Sequence, residues 1–135
     1  MGRHLPLLSA AVTSVVGSVA TFAIWVAVHR PGWESHEYLA ITVWSVPSGV
    51  LTGLLARMLR RLLVGRPSGV RGAAAIAGGV VIGVGWAFAS YFLSGGWVLA
   101  FDAPVLYCWS TGAVLGCLLA CFWPDMSRAQ SQAAA

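Results

Sequence analysis

The chain has 135 residues, 59% of them hydrophobic and only 9% charged, whereas a soluble domain carries about a quarter charged residues. So large an apolar excess does not fit inside one small globule, which excludes an ordinary soluble domain and points to lipid as the solvent. The formal charge of +4 comes from arginine without any lysine, and no basic stripe with interleaved aromatics accompanies it, which argues against a nucleic-acid partner.

Residues 5–28 form the first long apolar run, behind the basic leader Arg3-His4. About 24 residues at 1.5 Å each reach roughly 36 Å, enough to cross a hydrocarbon core of about 30 Å. A cleaved signal peptide has a shorter apolar core of about 7–15 residues, so a retained helix is expected. Ser14, Ser18 and Thr21 can return their hydroxyls to the helix backbone, and Ala10, Ser14 and Ser18 form a ridge of small residues.

The stretch from His29 to Tyr38 is the most polar in the chain, and Pro31-Gly32 stops the first helix. His29, His36 and Glu37, with Glu34 and Asp102 in reserve, are the candidate metal or acid–base residues, because two imidazoles and a carboxylate suit zinc. Their spacing matches no recognised metal motif, and Ser35 and Glu37 also serve as cap and first-turn acid of the next helix.

A second span is expected over 39–57. Pro47 lies inside it as a kink candidate, since proline lacks the N–H for the bond to the preceding turn. Gly49 and Gly53, four apart, mark a helix contact. There follows a basic hairpin with Arg57, Arg60, Arg61, Arg66 and Arg71, five of the eight basic residues. Such a cluster fixes orientation and contacts anionic lipid headgroups.

The third span, 72–93, repeats small residues every fourth position at Ala75, Gly79, Gly83 and Ala87. Several stacked GxxxG-like steps on one helix predict close packing against another. The glycines lack the strand and lysine of a phosphate-binding loop. The fourth span, 105–123, carries Gly112 and Gly116 as a further contact, and Cys117 and Cys121 on one face as small packers or, less expectedly, soft-metal ligands. Pro124-Asp125 is expected to end it, leaving a flexible tail at 126–135.

Together these segments predict an all-α integral membrane protein: a single domain of four transmembrane helices in an antiparallel bundle with short loops. Seven arginines fall on one side and Arg30 alone on the other, which places both termini in the cytoplasm and the chain in the cytoplasmic (inner or plasma) membrane. No span carries Asp, Glu, Lys, Arg or His near its centre, where proton relays and charged-substrate sites need them. No catalytic residue is assigned and no cofactor is expected. Three functions stay open: a non-catalytic subunit or scaffold that packs against other membrane subunits or against copies of itself, a carrier or channel component for a neutral or lipidic solute, and an enzyme working at the outer interface through the 29–37 loop. The subunit reading ranks first, because small-residue faces are plentiful and membrane-centre charge is lacking.

Overall fold

The computed structural model describes the backbone at residues 5–29, 35–96 and 103–134, and side chains at 7–29, 39–96, 106–123 and 132–134. Four helices account for nearly all of it: α1 (Leu5–His29), α2 (Ser35–Leu62), α3 (Ser68–Leu93) and α4 (Ala103–Ala134). Each contains a stretch long and apolar enough to cross a membrane. Large apolar side chains on every helix, among them Ile24, Val46, Val81 and Leu115, face outward, as lipid permits and water would not. The chain is an all-α integral membrane protein.

Residue pairing sets the directions of the helices. Gly49 of α2 lies against Ala11 and Val15 of α1, and Gly53 against Leu7, so these two run antiparallel. Gly79 meets Val114 and Gly83 meets Ser110, which makes α3 and α4 antiparallel. Thr52 touches Gly116 while Ser45 bonds Trp109, so α2 and α4 run parallel. Helix α4 packs on all three others, whereas the backbones of α1 and α3 stay apart, so α1 and α3 occupy opposite corners of a rhombus. The start of α1, the α2–α3 hairpin and the end of α4 therefore share one end of the bundle.

Helix α4 explains itself by its residues. Cys108, Trp109, Gly112, Ala113, Cys117, Ala120 and Cys121 are all buried, giving two adjacent rows that serve α1 on one side and α3 on the other. In α1 a single row is buried at every fourth residue, Ala10, Ser14, Ser18, Phe22 and Val26. In α3 the equivalent row is Ala75, Gly79, Gly83 and Ala87. Rows at four-residue spacing are the ridges by which helices interdigitate.

The hairpin between α2 and α3 closes through Gly65, whose φ of +79° is the left-handed conformation that ends helices. Arg66 N–H donates to the Leu63 carbonyl at 3.0 Å behind it. At the far end of α3, Gly96 N–H reaches back to the Tyr91 carbonyl at 2.8 Å, with Gly95 and Gly96 both at positive φ.

Helix boundaries differ from the sequence expectation at α2, α3 and α4. Helix α2 starts at Ser35 and continues to Leu62, so Arg57, Arg60 and Arg61 are helical; α3 starts at Ser68. The larger difference is α4, which does not end at Pro124: it continues to Ala134, so 126–134 is helix rather than a frayed tail. One missing N–H removes a single bond of the ladder, and the Arg, Ala and Gln residues that follow favour the helix.

Candidate functional site

The chemistry-bearing residues fall into three places: the end of the bundle opposite the basic hairpin, the core and the hairpin itself. At the end opposite the hairpin His29 is the last residue of α1 and is exposed. Its ring stacks on Trp25 with centroids 5.0 Å apart and 13° between planes. Its Nδ1 is 3.2 Å from the Trp25 carbonyl oxygen, to which the Nδ1–H tautomer donates. His36 and Glu37 belong to the first turn of α2, and their side chains lie outside the described residues, as do Glu34 and Asp102. Among the described residues no group of three or more His, Cys, Asp and Glu side chains gathers to hold a metal.

In the core, hydroxyls and indoles are linked across helices. Trp109, fully buried on α4, donates its indole N–H to Ser45 Oγ on α2 at 2.9 Å. Ser45 in turn donates to the Ile41 carbonyl at 2.6 Å. Trp86 of α3 donates to the Trp44 carbonyl at 2.8 Å, and its ring lies between those of Trp44 and Trp109, with centroids 6.1 and 6.3 Å away. Ser14 of α1 and Thr52 of α2 share a hydrogen bond at 3.1 Å. Thr52 gives its only hydrogen to the Ser48 carbonyl at 2.8 Å, so Ser14 is the donor of that pair. Phe22, Val26, Ile41 and Cys108 fill the space around the indoles.

Pro47 sits on α2 in the same layer, and the helix is continuous through it. The bond that Pro47 cannot make is to the Val43 carbonyl, four residues earlier; the Trp44 carbonyl, which receives the Trp86 indole, is the next one along the helix.

The small residues set how near the helices come. A methyl group on Gly49 would stand 2.6 Å from Val15 Cγ2, and one on Gly53 would stand 3.2 Å from the Leu7 carbonyl oxygen. On Gly79 it would stand 2.5 Å from Val114 Cα, on Gly116 2.5 Å from the Ala10 carbonyl oxygen. On Gly83 it would overlap the Ser110 backbone, and on Gly112 the Ser18 hydroxyl and Ser14 carbonyl. Ala75 is buried with Cys117 and Cys121, and Ala87 with Phe22 and Trp109. The two cysteines are thus surrounded by Leu55, Leu59, Leu118 and Phe122.

The five arginines of the hairpin are not equivalent. Arg57, Arg61 and Arg66 are exposed and Arg60 partly so, at the end of α2 and in the turn. Arg71 instead lies against α4: its Nη1 donates to the Cys121 carbonyl at 3.2 Å and its guanidinium is 5.0 Å from the Phe122 ring centre. That geometry couples a charge-assisted hydrogen bond to a cation–π contact.

The core network of Trp109, Ser45, Trp86, Ser14 and Thr52 is not singled out by motif reading. A signal was present in Trp109, an indole deep within an apolar run, whose N–H needs a partner when buried. Comparison with family models, with curated proteins and with solved structures finds no match to this chain.

Proposed function

We propose that the chain is a non-catalytic membrane subunit or scaffold that packs against other membrane helices, in a homo-oligomer or a larger assembly. The observation that carries this reading is the outward face of α3. Ala73, Ala77 and Gly85 are exposed there, and a methyl group placed on Gly85 would meet nothing within 4 Å. In lipid, small residues on an open face let a second helix come close enough for extensive dispersion contact. The interior supports the same reading. Among the described residues it holds apolar side chains and six hydroxyl-bearing residues, with no acidic or basic group. Proton relays and charged-solute pathways normally use such groups.

The arginine split supports a topology with both termini and the hairpin in the cytoplasm, and Arg57, Arg60, Arg61 and Arg66 among anionic headgroups of the inner or plasma membrane. Cysteine labelling of sites introduced after residues 34, 65, 97 and 130 then gives outside, inside, outside and inside.

Gly85→Leu tests the packing surface. A leucine there fills open space without entering the bundle, so thermal stability in detergent is expected to hold while assembly shrinks. Size determination and lipid-phase cross-linking read the outcome. An assembly of unchanged size and cross-linking pattern would sink this reading.

A further inference from the structure

On α2 one exposed stripe runs from the middle of the helix into the basic hairpin. Val46, Val50, Leu54, Arg57 and Arg61 are all exposed, and they follow one another at steps of three or four residues. Such steps keep a row on one face of a helix. The other hairpin arginines lie elsewhere. Arg60 is half-buried and comes seven residues after Gly53, on the side of α2 that meets α1. Arg66 belongs to the turn beyond the helix, and Arg71 lies against α4. Measured along α2 from Leu39, where its apolar stretch begins, Arg57 and Arg61 stand at about 27 and 33 Å. A hydrocarbon core of about 30 Å ends between them, so both guanidiniums reach the depth of lipid phosphates.

Their placement carries a cost. Like charges one turn apart on a helix repel. The helix dipole favours Arg60 and Arg61 in the last turn, but its effect fades before Arg57. Of the four acidic residues, Glu34, Glu37 and Asp102 adjoin or begin α2 and α4 at the opposite end of the bundle. Asp125 is left alone against the seven arginines of the hairpin side, and it belongs to α4. Helix α4 packs on the Ser45 and Thr52 face of α2, away from the stripe.

We propose that Arg57 and Arg61 hold the phosphate of one phospholipid of net negative charge, with its acyl chains laid along Leu54, Val50 and Val46. This deepens the headgroup contact proposed for the hairpin arginines and rests on it. Cβ atoms one turn apart are about 5–6 Å from each other, so two long side chains can close on a single phosphate. Guanidinium forks suit phosphate oxygens, which they meet with paired, charge-assisted hydrogen bonds. A net negative headgroup relieves the repulsion between the two arginines. A phosphatidylcholine headgroup brings its own cation to the same place and relieves it less. The apolar run beneath the arginines is what makes the ligand a lipid rather than free phosphate.

Phosphatidylglycerol and phosphatidylcholine with identical acyl chains, each titrated into the full chain in a neutral detergent, test the site. Native mass spectrometry counts the lipids retained by each chain. Saturable binding of one phosphatidylglycerol per chain is expected, with phosphatidylcholine about tenfold weaker. The Arg57→Gln, Arg61→Gln double variant should bind phosphatidylglycerol about tenfold more weakly than the wild type. Arg66→Gln removes a charge from the same hairpin and should bind it as the wild type does. All three positions are exposed, so the variants are expected to melt with the wild type in lipid-free detergent. Equal weakening by Arg66→Gln would overturn the site and leave only a diffuse attraction of the hairpin for headgroups. Equal retention of the two lipids would also overturn it. So would displacement of the lipid by soluble glycerol 1-phosphate at the same concentration, which would mark a site for free phosphate. Binding is read in detergent, so it stands or fails whichever side cysteine labelling gives the hairpin.

Discussion

Helix α3 makes two seams of opposite kinds, and adjacent glycines show the difference. A methyl on Gly79 would press within 2.5 Å of the Val114 backbone on α4, whereas one on Gly78 would meet the Leu55 Cδ2 at 2.9 Å on α2. Backbone cannot yield, but a leucine tip can rotate. The α3–α4 seam is thus built from backbone contact along Ala75, Gly79 and Gly83. The α2–α3 seam is filled by Leu55, Leu59 and the Trp44–Trp86 pair. Yet α2 and α3 are the helices joined by a short hairpin. Connectivity brings two helices side by side; the size of the facing residues decides how closely they pack.

The strongest way to break this contrast is to fill the tight seam. In the Gly79→Leu, Gly83→Leu double variant, each side chain must displace α4 backbone. Overpacking of this kind costs about 1–3 kcal/mol per site and more where backbone must shift. The bundle should unfold, or melt far below the wild type in detergent. Val80→Leu is the control, because Val80 lies on the exposed face between the two glycines. Equal melting of the double variant and the control would show that α3 and α4 are not in backbone contact.

Much of this contrast was legible in the sequence, and part was not. The four helices follow from apolar length alone, and Gly79 and Gly83 stood out by their four-residue repeat. What the repeat does not reveal is the direction each glycine faces: Gly78, Gly79 and Gly85 read alike until the helix is placed against its neighbours. The central position of α4 was also hidden, because its two buried rows mix Cys, Trp, Gly and Ala rather than repeating one small residue. Arg71 looked like one more hairpin arginine, since sequence carries no sign of which guanidinium finds a carbonyl on another helix. The end of α4 was misread by giving Pro124 more weight than the helix-forming residues after it.

Arg71 closes the hairpin end of the tight seam, so its removal should act on stability rather than on topology. Arg71→Gln gives up the cation–π contact and the charged donor to the Cys121 carbonyl. A loss of about 1–2 kcal/mol is expected from those two contacts together. Arg66→Gln, in the exposed turn, should leave the stability within about 0.5 kcal/mol of wild type. Chemical or thermal denaturation of the two variants in the same detergent makes the check. A larger loss for Arg66→Gln than for Arg71→Gln would mean that the hairpin, not the α4 contact, is what Arg71 serves.

The smallest effect is expected at the loose seam, and it bears on how that seam is held at all. Trp86→Phe keeps an aromatic ring beside Trp44 and Trp109 while deleting the N–H that reaches the Trp44 carbonyl. Interhelical hydrogen bonds in membranes contribute about 0.6 kcal/mol on average, because alternative partners are available in the lipid-embedded chain. The Trp44 carbonyl has such an alternative in the Ser48 hydroxyl one turn away, so the loss should fall at or below that figure. Gly78→Ala provides the companion measurement: its added methyl asks only that the Leu55 side chain shift, and a change within about 0.5 kcal/mol is expected. If instead Trp86→Phe or Gly78→Ala destabilised the bundle by as much as a leucine at Gly79, the two seams would be equally rigid. The tolerance assigned to the leucine and indole side would then be wrong, and the rhombus would have no soft edge between α2 and α3.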